Sequence, residues 1–129
     1  MKLALIALLT VTSLAGCATN TSGLQIDGER QRVIFGQSAL DDAFKVTDIA
    51  TVKVHSHMRG SVTLVNQTTH DQSVQYRFYW YDRQGLEVNI QPSAWKQQIV
   101  HGGEKVSLSE VSISPQGQQF RLQIRENNQ

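Results

Sequence analysis

The sequence predicts an all-β fold, an antiparallel sandwich of about seven short strands with at most one short helical turn. Three observations lead there. Apolar and polar residues alternate with period two along most of the chain, turn residues recur at roughly 8–12-residue spacing, and a single segment carries a helical pattern. An open barrel of similar strand count satisfies the same pattern.

Arg32 to Phe35 opens the fold as a short strand. Ser38 to Lys45 is the segment with helical character, because Ser38 is placed to cap a turn that sets Leu40 and Phe44 four apart on one side. Ser61 to Val65 is rich in β-branched residues and runs into the polar loop Asn66-Gln67-Thr68-Thr69-His70-Asp71. The next strand is the clearest: Val74, Tyr76, Phe78 and Trp80 alternate with Gln75, Arg77, Tyr79 and Tyr81. Asp82-Arg83-Gln84-Gly85 reads as a turn with glycine at a left-handed position. Leu86, Val88 and Ile90, alternating with Glu87 and Asn89, read as the return arm of a hairpin. Trp95 to Val100, Lys105 to Ser112 and Phe120 to Ile124 follow, divided by His101-Gly102-Gly103 and Pro115-Gln116-Gly117. No internal repeat or second linker interrupts residues 24–129, which are expected to form one domain.

The start of the chain has a different character. Lys2 precedes an apolar run from Leu3 to Val11, the charged start and short apolar region of a secretory signal, too short for the ~20 residues of a membrane-spanning helix. The run closes on Leu14-Ala15-Gly16-Cys17, and Cys17 is the only cysteine. Small residues followed by cysteine at a cleavage point resemble the lipobox of bacterial lipoproteins, in which the cysteine is acylated. Residues 1–16 are therefore expected to be a cleaved signal peptide, Cys17 the lipidation site, and residues 17–23, small and polar, a flexible tether. Ala18, where an aspartate would mark retention at the inner membrane, implies an address at the periplasmic face of the outer membrane. A free thiol or an intermolecular disulfide is the alternative use of a lone cysteine.

Of the 12 basic residues, Lys2 lies in the signal, which leaves basic and acidic side chains equal in number against the 11 Asp and Glu. A neutral domain has no net field with which to concentrate phosphates, so nucleic acid is not expected as a partner. Without a second cysteine the domain must hold by core burial alone.

The segment Tyr76-Arg77-Phe78-Tyr79-Trp80-Tyr81-Asp82, followed by Gly85-Leu86-Glu87-Val88, resembles the YcfL-like family of small proteobacterial lipoproteins. The lipobox, the strand from Ser61 to Asn66, Trp95 and the closing Arg121-Leu122 support the resemblance, which covers most of the chain after Cys17. It implies an immunoglobulin-like sandwich with no assigned enzymatic activity. In some enterobacteria the family's gene lies beside that of a lipoprotein activating a peptidoglycan synthase, which implies a link to peptidoglycan synthesis without assigning any residue.

Candidate sites are few. His55 and His57 stand two apart, so in an extended segment both face one side and can approach a metal, with His70 and His101 as further ligands. Two histidines fall short of the usual three or four ligands, and Lys53 and Arg59 on the same face repel a cation; a solvated polar face is the plainer reading. No Gly-x-Ser-x-Gly, His-Glu-x-x-His or phosphate-binding glycine loop is present, and adjacent Asp41 and Asp42 do not face one another in a strand or a helix. No enzyme activity and no cofactor are expected. Arg77, Tyr79 and Tyr81 share the face opposite Phe78 and Trp80, and they are residue types enriched at protein interfaces and in glycan contacts. Cover by cross-strand neighbours is the alternative for that row. The expected function is a membrane-tethered periplasmic module that binds another envelope protein. The alternative is a lipoprotein that binds glycan or peptidoglycan fragments through the same three residues.

Overall fold

The structure, a computed structural model, describes residues 32–89, 91 and 93–128. Its elements are β1 (Val33–Phe35), α1 (Ser38–Ala43), β2 (Phe44–Val54), β3 (His57–Asn66), β4 (Gln72–Tyr81), β5 (Lys96–Val100), β6 (Lys105–Val111) and β7 (Gln119–Glu126). The strands form a four-stranded sheet in the order β1-β7-β4-β5 and a three-stranded sheet in the order β2-β3-β6. Every pairing is antiparallel except β1 with β7, which is parallel.

The strand order is close to that of immunoglobulin sandwiches, where A, B and E adjoin in one sheet and C′, C, F and G in the other. Here β2-β3-β6 takes the first arrangement and β5-β4-β7 the C′-C-F part of the second. The seat of the closing strand beside β7 is filled by β1 from the other end of the fold, and it runs parallel to β7.

Alternation along β4 and β7 buries one side of each. Val74, Phe78 and Trp80 meet Phe120, Leu122 and Ile124 across the same sheet, and Val62, Leu64 and Leu108 close the core from the other. The ring of Phe120 sits between Phe78 and Trp80, with centroids at 5.3 and 5.6 Å. Trp80 donates its indole N–H to Glu110 Oε2 at 3.1 Å, so its one polar atom is satisfied inside the sandwich. Phe35 stacks on Phe44, which ties β1 to the start of β2.

The sequence-based expectation of an all-β sandwich of about seven strands holds, with two changes in which segments supply them. Phe44–Val54 is a full strand that alternation did not disclose, because the register shifts between Val46 and Asp48. Val46 pairs with buried Leu64 and Ile49 with buried Val62, so the inward set changes parity at the bulge. Conversely, residues 86–89 are no strand. The Asp82 carboxylate accepts the backbone N–H groups of Gln84 and Leu86, and the tight turn leaves only a bridge from Tyr81 to Glu87. Ser38 is the first helical residue rather than the cap; Gln37 takes the cap position without a side-chain bond. Residues 1–31, and with them Cys17, the signal segment and the tether, lie outside the described residues.

Candidate functional site

β4 and β7 are neighbours, so their outward residues form one face. Arg77 is opposite Gln123, Tyr79 opposite Arg121, Tyr81 opposite Gln119, and Gln75 opposite Arg125. β5 extends the face with Gln97, opposite Gln75, and Ile99, which is 55% exposed. The structure thus brings Arg77, Tyr79 and Tyr81 together on the side away from the core. It makes them half-buried rather than a fully exposed row. Long side chains from β7 and from Trp95 lie over them.

The contacts are specific. Trp95, just before β5, places its indole against both Arg77 and Arg125, whose guanidinium carbons lie 4.3 and 3.7 Å from the ring centroid. Arg77 also lies 5.0 Å from the Tyr79 ring. Guanidinium groups stack on aromatic faces because the ring quadrupole attracts the charge and the flat ion sheds little water in doing so. Tyr79 donates its hydroxyl to Gln123 Oε1 at 3.1 Å, and Arg125 donates Nε–H to Gln75 Oε1 at 2.9 Å. Arg77 Nε is buried and has no hydrogen-bond partner. Burial raises the Tyr81 phenol above its ordinary pKa, an effect the Arg121 guanidinium opposes; the phenol stays neutral at physiological pH and available as donor.

Trp95 is the member that alternation did not place. The apolar character of Trp95 and Ile99 suits an inward face, yet the inward residues of β5 are Lys96, Gln98 and Val100, the partners of Tyr76, Val74 and Gln72. Lys96 can point inward because its ammonium reaches Glu110 at 3.6 Å at the open rim between the sheets.

The histidines are spread out. His55 sits in the turn between β2 and β3 with φ of 57°, so it and His57 are not in one extended run. His57 Nδ1 lies 2.8 Å from the Ser112 carbonyl. Lys53 pairs with Met58 and Arg59 with Val52, which puts these two cations on opposite faces of the hairpin. His70 and His101 belong to the other end of β3, roughly 30 Å away by strand rise. There His101 lies 3.2 Å from Asp71, and the hydrogen bond to that ring, with one from the Gly102 N–H, lowers the Asp71 pKa. Among the described residues no three potential ligands cluster. No helix among them is long and apolar enough to cross a membrane.

The family model described as a protein of unknown function, DUF1425, matches residues 31–126. Among solved structures, the crystal structure of a DUF1425 family member from Shewanella sp. pv-4 is 26% identical, with a TM-score of 0.60, covering 67% of this chain and 80% of that one. The crystal structure of Campylobacter jejuni cj0090 has a TM-score of 0.62 at 18% identity, covering 74% of this chain and 97% of that one, a likeness of fold. No curated protein matches.

Proposed function

The chain belongs to the DUF1425 family of unknown function, and from that premise we propose that it is a membrane-tethered interaction module of the bacterial envelope. It binds another protein through the outer face of the β4–β7 sheet. One observation carries the reading: Arg77, Trp95, Arg125, Tyr79 and Tyr81 gather on one half-buried sheet face. Trp, Tyr and Arg are the residues in which interface energy concentrates, since each combines large apolar area with a polar tip. Here their mutual contacts fix them before binding, so little side-chain entropy is left to lose.

The tether in this reading is acylated Cys17, reached through residues 18–23, and the address is the periplasmic face of the outer membrane. The lipobox pattern and the YcfL-like character of the aromatic strand support both, and the link to peptidoglycan synthesis rests on that resemblance. The module is a binding protein and not an enzyme. A second reading, recognition of a glycan, is favoured by a polar cleft of about 300 Å³ beside Arg125, lined by Gln37, Gln75, Glu126, Asn127 and Asn128. Asn127 Oδ1 there is buried without a partner.

Photo-crosslinking in intact cells tests the proposal. A crosslinker at Gln97, on this face, is expected to trap a discrete protein, whereas one at Ser109, outward on the opposite sheet, is not. Equal products from both positions, or none from Gln97, would overturn it.

A further inference from the structure

The outward positions of β4 and β7 are Ser73, Gln75, Arg77, Tyr79 and Tyr81 on one strand and Gln119, Arg121, Gln123 and Arg125 on the other. They hold three arginines; the carboxylate that reaches this face is Glu87, bridged to Tyr81 at the end away from Trp95. Around Trp95 the outward charges are those of Arg77 and Arg125, on a chain whose formal net charge is +1. Two of the arginines, Arg77 and Arg125, are brought against the same indole, and neither has a carboxylate in ion-pair contact among the described residues. Glu126 lines the cleft beside Arg125 without pairing with it. Stacking on the indole, worth roughly 0.5–2 kcal/mol per contact, holds the two guanidinium groups in place. It supplies neither with a counter-ion.

We propose that this face takes an acidic segment of a protein partner, with glutamate or aspartate carboxylates seated on Arg77 and Arg125 beside Trp95. This rests on the protein-interaction reading above and names the chemistry of the partner. Arg125 donates its Nε–H to Gln75 and presents the rest of its guanidinium fork, the geometry that matches a carboxylate. The choice of protein over acidic sugar follows from what flanks the arginines. Exposed Ile99 adjoins the face, and the Trp95 ring already carries two guanidinium groups where a pyranose would stack.

The test titrates the full chain, in a zwitterionic detergent, with a synthetic peptide of alternating Glu and Ser. Binding is followed on the Trp95 indole N–H resonance, which is separable from that of buried Trp80, held by Glu110. The peptide is expected to shift the Trp95 signal, with affinity falling as salt rises. A Gln–Ser peptide of the same length should not shift it. Arg77→Gln and Arg125→Gln should each weaken binding about tenfold or more. Gln123→Glu should weaken it too, because it supplies a carboxylate opposite Arg77 while keeping an acceptor for Tyr79, and it removes no packing.

Equal binding of the Gln–Ser peptide, or unchanged affinity in Arg125→Gln and Gln123→Glu, would overturn the proposal. Tighter binding of an oligogalacturonate than of the peptide would overturn the assignment to protein. Absence of peptide binding while Gln97 still crosslinks would end this inference and leave the interaction module standing; loss of both ends both.

Discussion

The Phe120 ring reaches across the sandwich to the backbone of β3, where a Cβ added to Gly60 would stand 2.6 Å from it. Glycine at this point sets how closely the two sheets approach. Gly60→Ala is expected to destabilise the fold by about 1–3 kcal/mol, because the ring must leave a well-packed position between Phe78 and Trp80. In a double-mutant cycle with Phe120→Leu, measured by denaturant unfolding, the two changes should be less than additive. Additivity would mean that the contact does not limit the packing. Trp80 poses a second question at this scale, since it is fully buried and also hydrogen-bonded. Trp80→Ala should cost about 3–5 kcal/mol through the cavity it leaves. The Glu110 carboxylate matters chiefly as the acceptor for that indole. Its pairing with Lys96 is 3.6 Å long with a Lys96 side chain 48% exposed, and such a pair contributes ~1 kcal/mol or less. Glu110→Gln, which keeps an acceptor, should therefore be mild, and Glu110→Leu, which orphans a buried N–H, should cost about 1–3 kcal/mol in the same unfolding assay.

Elements are joined at the far end of β3 by one buried side chain. The Asn66 amide donates to the carbonyls of His70, Val100 and His101, and its Oδ1 accepts from the Thr68 N–H and hydroxyl. Its own backbone bonds to Gly103 and Glu104, so the β3–β4 and β5–β6 loops are fastened together. Asn66→Ala should lower stability by more than about 2 kcal/mol, and Asn66→Asp should be no better because a carboxylate cannot donate to three carbonyls. A melt of Asn66→Asp close to the parent would show that the loops hold without this network. In the sequence Asn66 is indistinguishable from any loop asparagine, because what defines it is three carbonyls from distant segments. The same limit explains the misread strands. β4 and β7 are legible because one regular alternation meets one core. β2 is not, because its alternation changes phase at the bulge. Residues 86–89 carry strand-like alternation, and the Asp82 turn overrides it. At the site, Arg77, Tyr79 and Tyr81 follow from the parity of β4 alone. Trp95 and Arg125 do not, since their juxtaposition depends on β5 and β7 flanking β4.

For the whole molecule, the proposal joins a lipid anchor at one end of the chain to a charged, aromatic face on one sheet. The two parts are separable. Cys17→Ser should abolish palmitate labelling and move the protein from the membrane to the soluble periplasmic fraction. Its melting temperature should stay unchanged, because among the described residues the core is made by side chains from Val33 onward. Labelling that survives the substitution would remove the anchor from the account. The face can be tested without disturbing the core behind it, since Tyr79, Tyr81 and Trp95 are only half-buried while Phe78 and Trp80 carry the packing. The most direct measurement is the yield of the in-cell crosslink from Gln97 in a Tyr79→Ser, Trp95→Ala protein, read together with its thermal melt. We predict a crosslink reduced at least about tenfold, as expected when interface anchors are removed, in a domain that still unfolds in one cooperative transition, at a lower temperature because the Trp95 contacts with Arg77 and Arg125 are gone. An undiminished crosslink in a folded domain would contradict the claim that this face is where the protein binds its partner.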